Sequence, residues 1–157
     1  MFPTRILVAT NGSREAEPAL EAAVDLATGT GSELQIVYVV STVLGPPYPS
    51  PTNRGRTDID LEQRRLLGLR LLEAQARRVE DLGGGVSASH YREGKPEKEV
   101  VRLAGELDAG LIVTGGRRRP WFERIFGAGF STTLVRKANR PVLVVGRQGL
   151  QSSAVTK

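Results

Sequence analysis

Four short apolar runs constrain the fold of this chain more than any other feature: Ile6-Leu7-Val8-Ala9, Leu34 to Val40 (LQIVYVV), Leu111-Ile112-Val113 and Val142-Leu143-Val144-Val145. They are apolar at consecutive positions and rich in β-branched residues. A strand with one wet face alternates apolar and polar side chains, because successive residues point to opposite faces; only a strand covered on both faces is apolar throughout. The runs therefore require a parallel sheet between two layers of helices. A fifth segment, Val86 to Tyr91 (VSASHY), alternates Val86, Ala88 and His90 with Ser87, Ser89 and Tyr91 and reads as an edge strand.

Helical spacing fills the gaps between the runs. Ser13 is placed to N-cap a helix through Thr28, with Ala16, Leu20, Ala23, Val24 and Ala27 on one face and Gly29 or Gly31 at its end. A second helix is expected from about Asp58 to Leu82, capped by Thr57 with Asp60 following in its first turn. Leu61, Leu67, Leu71 or Leu72, Val79 and Leu82 supply its core face, while Arg64, Arg65, Arg70, Arg77 and Arg78 fall largely on the solvent side. A third helix starts at Pro96, a favoured first-turn residue, and runs to about Leu107; a fourth spans roughly Gly129 to Ala138. Strands alternating with helices imply βαβ units with right-handed crossovers, hence an α/β fold with an open doubly wound parallel sheet. Such sheets take ligands at the carboxyl ends of the strands, where the strand order reverses. Ser41 to Arg56, with Pro46, Pro47, Pro49 and Pro51, falls outside this plan and reads as a long loop or a lid.

Composition narrows the chemistry. A chain of 157 residues suits one domain with a proper core, here 1–147, followed by a polar, flexible tail over 148–157. Cysteine is missing, which excludes disulfides and thiolate nucleophiles, and His90 is the single histidine, so no metal site is expected. The opening MFPTRILVAT lacks a signal-peptide pattern and no apolar run reaches the ~20 residues of a membrane span, so a cytoplasmic protein without membrane contact is expected. With 22 Lys plus Arg against 17 Asp plus Glu, the net charge of +5 permits an anionic partner; the excess lies in arginine clusters, not in a tail, which argues against nucleic acid.

Two stretches sit where a doubly wound sheet would bind. The turn Ala9-Thr10-Asn11-Gly12-Ser13 joins a strand to a helix N-terminus, which favours an anion or a hydrogen-bonding ligand, or is an ordinary turn capped by Asn11 or Ser13. The second, VTGGRRRPWFERIFGAGFST from Val113 to Thr132, has bare backbone at Gly115-Gly116 and at Gly127-Ala128-Gly129, with Arg117-Arg118-Arg119 between them.

The chain resembles the universal stress protein family from Arg5 to Arg147. The likeness is carried by RILVATNGSREAEPALEAAVDLA, by LQIVYVV, and by LIVTGG through LVRKANRPVLVV. It implies a Rossmann-like, adenine nucleotide alpha hydrolase-like domain of strand order 3-2-1-4-5, joined into a homodimer through the last strand. It also implies a cytoplasmic stress response, exercised by binding ATP and not through a defined reaction. Nucleotide-binding members share Gly, two residues, Gly, nine residues, Gly and then Ser or Thr. Anchored on LVRKA, the first of these is Gly115, but Arg118, Ala128 and Gly129 occupy the other three positions. Phe122, Ile125 and Phe126 fall on the family's leucines and support this register; a shift by one pairs Gly116 and Gly129 but puts Arg119 and Phe130 at the remaining places. Asn11 replaces an Asp that looks toward the adenosine, while Ala9, Thr10 and Val39 keep room for an adenine.

The pocket so implied is lined by Ala9, Thr10, Asn11, Val39, Gly115, Arg118, Ala128, Gly129, Phe130 and Ser131. Its arginines either replace backbone contacts to phosphate, form a solvated basic loop, or meet a protein or nucleic acid. Trp121 either pins the loop or offers a stacking surface. ATP binding is expected to be weakened, altered or lost. A slow ATP-hydrolysing or phosphoryl-transfer enzyme and a basic module for nucleic acid or protein are the alternatives, although no catalytic nucleophile or base stands out.

Overall fold

The structure, a computed structural model, describes residues 2–14, 16–42, 57–116 and 129–146, with the backbone alone for 57–60. In chain order the elements are β1 (Arg5–Ala9), α1 (Glu17–Thr30), β2 (Glu33–Ser41), α2 (Thr57–Asp81), β3 (Val86–Gly94), α3 (Pro96–Glu106), β4 (Leu111–Gly115), α4 (Phe130–Lys137) and β5 (Val142–Val145). The strands form a single five-stranded sheet of order β3-β2-β1-β4-β5 with every neighbouring pair parallel. The alternating segment is indeed an edge strand, and the order reverses between β1 and β4.

The apolar runs account for this arrangement. On one face Ile6, Val8, Leu34, Ile36 and Val113 pack with Ala19, Leu20, Ala23 and Val24 of α1 and with Leu72 and Val79 of α2. On the other, Leu7, Val37 and Ile112 pack with Val100, Leu103 and Ala104 of α3 and Leu134 of α4. Consecutive β1 residues thus enter opposite clusters, and Ile6, Leu7 and Val8 are all fully buried. Burying one such side chain contributes about 1.5–3 kcal/mol.

Two expectations from the sequence are corrected. Ser13 does not cap α1: the helix begins at Glu17 with Ala16 in the cap position, and Ser13 Oγ is buried without a hydrogen-bond partner among the described residues. Pro18 sets the start, since it lacks an N–H and fits only the first turn, where that donor has no helical acceptor. The helix ends as expected at Gly31, whose φ of 68° suits a residue without a side chain. In α2, Leu67 is 64% exposed and Leu61 37% exposed, so neither belongs to the core. The inward stripe runs instead through Gly68, Leu72, Gln75 or Ala76, and Val79, and Leu67 lies one residue, about 100°, away from it. Gly68 is buried at the closest approach: a Cβ there would stand 2.8 Å from the rings of both Tyr38 and Tyr91.

The lid or loop expected over Ser41–Arg56 has only Ser41 and Thr42 inside the described residues, and the C-terminal tail lies outside them.

Candidate functional site

At the carboxyl end of β1 the chain turns sharply, and hydrogen bonds fix the turn from within. Thr10 is 6% exposed; its N–H donates to Val37 O at 3.0 Å, and its Oγ1 accepts from Gly12 N at 3.2 Å while donating to Gln75 Oε1 at 2.9 Å. Asn11 Oδ1 accepts from Ser13 N at 3.0 Å, which closes an Asx turn. Gly12 takes a φ of +70°, and the Leu71 side chain of α2 covers the place where its Cβ would be, 2.7 Å away. The N–H groups of Thr10, Gly12 and Ser13 are therefore all spent inside the protein. This turn offers a ligand side-chain groups, not the backbone nest that its small residues suggest.

The neighbouring strand ends assemble around it. Ala9 is level with Val37 on β2 and with Thr114 on β4, and Gly115 is level with Val145 on β5. Gly116 N donates to Val145 O at 2.8 Å, which carries the pairing with β5 one residue past the end of β4. On the face covered by α3 and α4, Ala9, Val39 and Phe130 pack against one apolar cluster. Gly129, the N-cap residue of α4, has no side chain to cap the helix, and among the described residues no side chain caps its first turn. Ser131, in that first turn, is half-buried.

Of the residues expected to line the pocket, the structure thus gathers Ala9, Thr10, Asn11, Val39 and Gly115 at adjoining strand ends, with Gly129, Phe130 and Ser131 at the start of α4. Arg118 and Ala128 lie outside the described residues, as do Arg117, Arg119 and Trp121. Gln75 escaped the sequence reading. The one available signal was its polar side chain on the otherwise apolar inward stripe of α2.

In sequence, the first charged residue after every strand is basic: Arg14 after β1, Arg54 after β2, Lys95 after β3, Arg117 after β4 and Arg147 after β5.

Away from this edge, His90 Nε2 lies 2.8 Å from Gln35 Oε1 on the α3 side of the sheet. Burial, helped by the charge of Arg92, lowers its pKa from the usual imidazole value. Tyr91, whose hydroxyl donates to Glu93 Oε1 at 3.0 Å, is pushed up to about 12, first by burial and then by that bond. Both groups are neutral near pH 7. Among the described residues no group of three or more His, Asp or Glu side chains is placed to hold a metal ion, and no helix is long and apolar enough to cross a membrane.

Comparison with known proteins places this geometry. The universal stress protein family's sequence model matches residues 3–146. A universal stress protein of Methanocaldococcus jannaschii is 27% identical over 141 residues, covering 90% of this chain and 81% of that protein. Among solved structures, a universal stress protein in complex with cAMP is 21% identical with a TM-score of 0.66, over 94% of this chain and 99% of that one. The universal stress protein from Archaeoglobus fulgidus in complex with dAMP is 22% identical with a TM-score of 0.63, over 92% and 98%. At these identities the structural likeness establishes the fold.

Proposed function

Since the chain belongs to the universal stress protein family, we propose that it is a cytoplasmic stress-response binding domain that holds an adenine nucleotide at the carboxyl edge of its sheet, with weakened affinity for ATP. The observation that carries this reading is the position of Ala9, Val39 and Phe130 on one face beside the point of strand reversal. They supply an apolar slot for a base next to the uncapped start of α4, where a phosphate is favoured. The neighbours solved with cAMP and with dAMP support an adenine nucleotide as the occupant.

The weakening for ATP follows from the sequence. Arg118 and Ala128 stand where two cradle glycines are expected, and a Cβ at a glycine that needs positive φ costs about 1–2 kcal/mol. The segments 9–14, 114–119 and 145–147 contain no Asp or Glu to orient water or bind magnesium, which favours binding over turnover. We assign one domain through residue 147, with 148–157 as a tail. We also assign a homodimer through β5, because Val144 on that edge strand is 39% exposed and Val135 of α4, on the same side of the sheet, is 50% exposed.

The test is mass spectrometry of small molecules released from the purified protein, followed by calorimetric titration with ATP and magnesium and with AMP. A released adenine nucleotide, with heat from AMP exceeding that from ATP, is expected. Neither a released nucleotide nor heat up to millimolar concentration would sink the reading.

A further inference from the structure

We propose that Asn11-Gly12 is a site of spontaneous covalent modification, at which the folded protein converts the Asn11 side-chain amide into a carboxylate by way of a cyclic imide. Every reacting protein atom belongs to the turn after β1, so the conversion does not depend on whether a nucleotide binds there.

The residue that follows Asn11 has no side chain to obstruct ring closure on its nitrogen. The fold admits only glycine at that place: φ is +70°, and the Leu71 side chain lies 2.7 Å from where a Cβ would stand. The Asx turn bends the Asn11 carbonyl back across the Gly12 peptide, with Oδ1 accepting from Ser13 N at 3.0 Å. That N–H draws electrons from Cγ and stays in place for the oxyanion formed when Cγ is attacked. Asn11 and Gly12 are both exposed, so water and hydroxide reach them and the new charge is solvated. One bond restrains the step. Gly12 N–H donates to Thr10 Oγ1 at 3.2 Å, at the long end of the usual range, and this bond has to open before the nitrogen can attack.

Hydroxide takes the Gly12 N–H proton, and the nitrogen bonds to Cγ of Asn11. The Cγ–NH₂ bond then breaks, and its nitrogen leaves as ammonia with a proton from water, which closes the imide ring. Water adds to one of the two imide carbonyls and breaks its bond to the ring nitrogen. Opening at one carbonyl leaves an aspartyl residue; opening at the other leaves an isoaspartyl residue, whose main chain is longer by one methylene. In sum, one water is consumed and one ammonia released, with no change in oxidation state. Either product adds a negative charge at the carboxyl end of β1, beside the strand reversal.

The experiment is to age the purified protein at neutral and at mildly alkaline pH, both native and unfolded in guanidinium chloride, and to follow it by peptide mass spectrometry and ion exchange. In the native protein Asn11 is expected to exchange NH₂ for OH, faster at the higher pH. Its rate should lie within about tenfold of that in the unfolded chain, the cost of opening one neutral hydrogen bond. Asn139, likewise exposed but followed by Arg140, and Asn53, followed by Arg54, should stay intact over the same period. Asn11→Gln, whose longer side chain closes a ring far more slowly, should keep its charge. If the unfolded chain loses the Asn11 amide more than about tenfold faster than the native protein, the turn protects the residue and the inference is overturned. Equal loss at Asn139 overturns it too, as does an acidic shift that persists in Asn11→Gln.

Discussion

Thr10 is the residue on which the turn after β1 depends, since one hydroxyl serves the Gly12 N–H and reaches Gln75 in α2. Thr10→Val keeps the shape and deletes both bonds, leaving Gln75 Oε1 with an unmet acceptor at a part-buried place. A loss of about 1–3 kcal/mol in urea unfolding is expected, with the slope unchanged; a change below a few tenths would mean that water replaces the hydroxyl. His90 makes the second residue-scale case. Its pKa is lowered in the fold by burial, so the native state resists a proton that the unfolded chain accepts at about 6.5. Stability is therefore held above that value and falls as pH drops from it toward the lowered native pKa. The urea midpoint should decline as pH falls below about 6.5, and part of the decline should vanish in His90→Gln. An identical decline in the variant would assign it to the carboxylates instead.

Helix α2 is the element whose placement was hardest to foresee. Its leucines suggest an inward face through Leu61 and Leu67, yet the helix docks through Gly68, because only a missing side chain lets its backbone reach the Tyr38 and Tyr91 rings. Those rings, 6.5 Å apart between centroids, form the surface on which it rests. Gly68→Ala gains about 1 kcal/mol of helix propensity but inserts a methyl into that contact, and overpacking of this kind costs about 1–3 kcal/mol. A net loss of about 1 kcal/mol is expected in thermal or urea unfolding; a net gain would show that α2 sits further from the sheet. Helix α1 teaches the complementary lesson. Its inward face, Leu20, Ala23, Val24 and Ala27, is the one that the spacing predicts, while its start moved from Ser13 to Glu17 because Pro18 outweighed a favourable cap residue.

For the whole molecule the consequence lies at the two sheet edges. β3 carries Arg92, paired to Glu106 at 2.6 Å, and Glu93 near its carboxyl end, whereas β5 presents the exposed Val144 on the α4 side of the sheet, where Val135 of α4 is also exposed. If β5 joins two copies, Val144→Glu places two like charges near the two-fold axis, and sedimentation should show a monomer at concentrations where the wild type is a dimer. A wild-type monomer, or a variant that remains dimeric, would remove β5 from the interface. Raising salt should weaken nucleotide binding only mildly, as one or two phosphates are neutralised, and a steep dependence would point to a polyanion instead.

By itself the sequence determined the parallel sheet, all five strands to within a few residues and the inward face of α1. A run of consecutive β-branched side chains has one stable place, between two covering layers, and that requirement acts locally. It also marked Ala9, Thr10, Asn11, Val39 and Gly115 as residues of adjoining strand ends. Only the tertiary structure decided which way α2 turns, that the Ser13 hydroxyl is buried with no hydrogen-bond partner among the described residues, and that Gln75 reaches Thr10 across 65 positions of sequence. These choices depend on hydrogen bonds and close contacts whose partners are brought together by folding, and no periodicity along the chain records them.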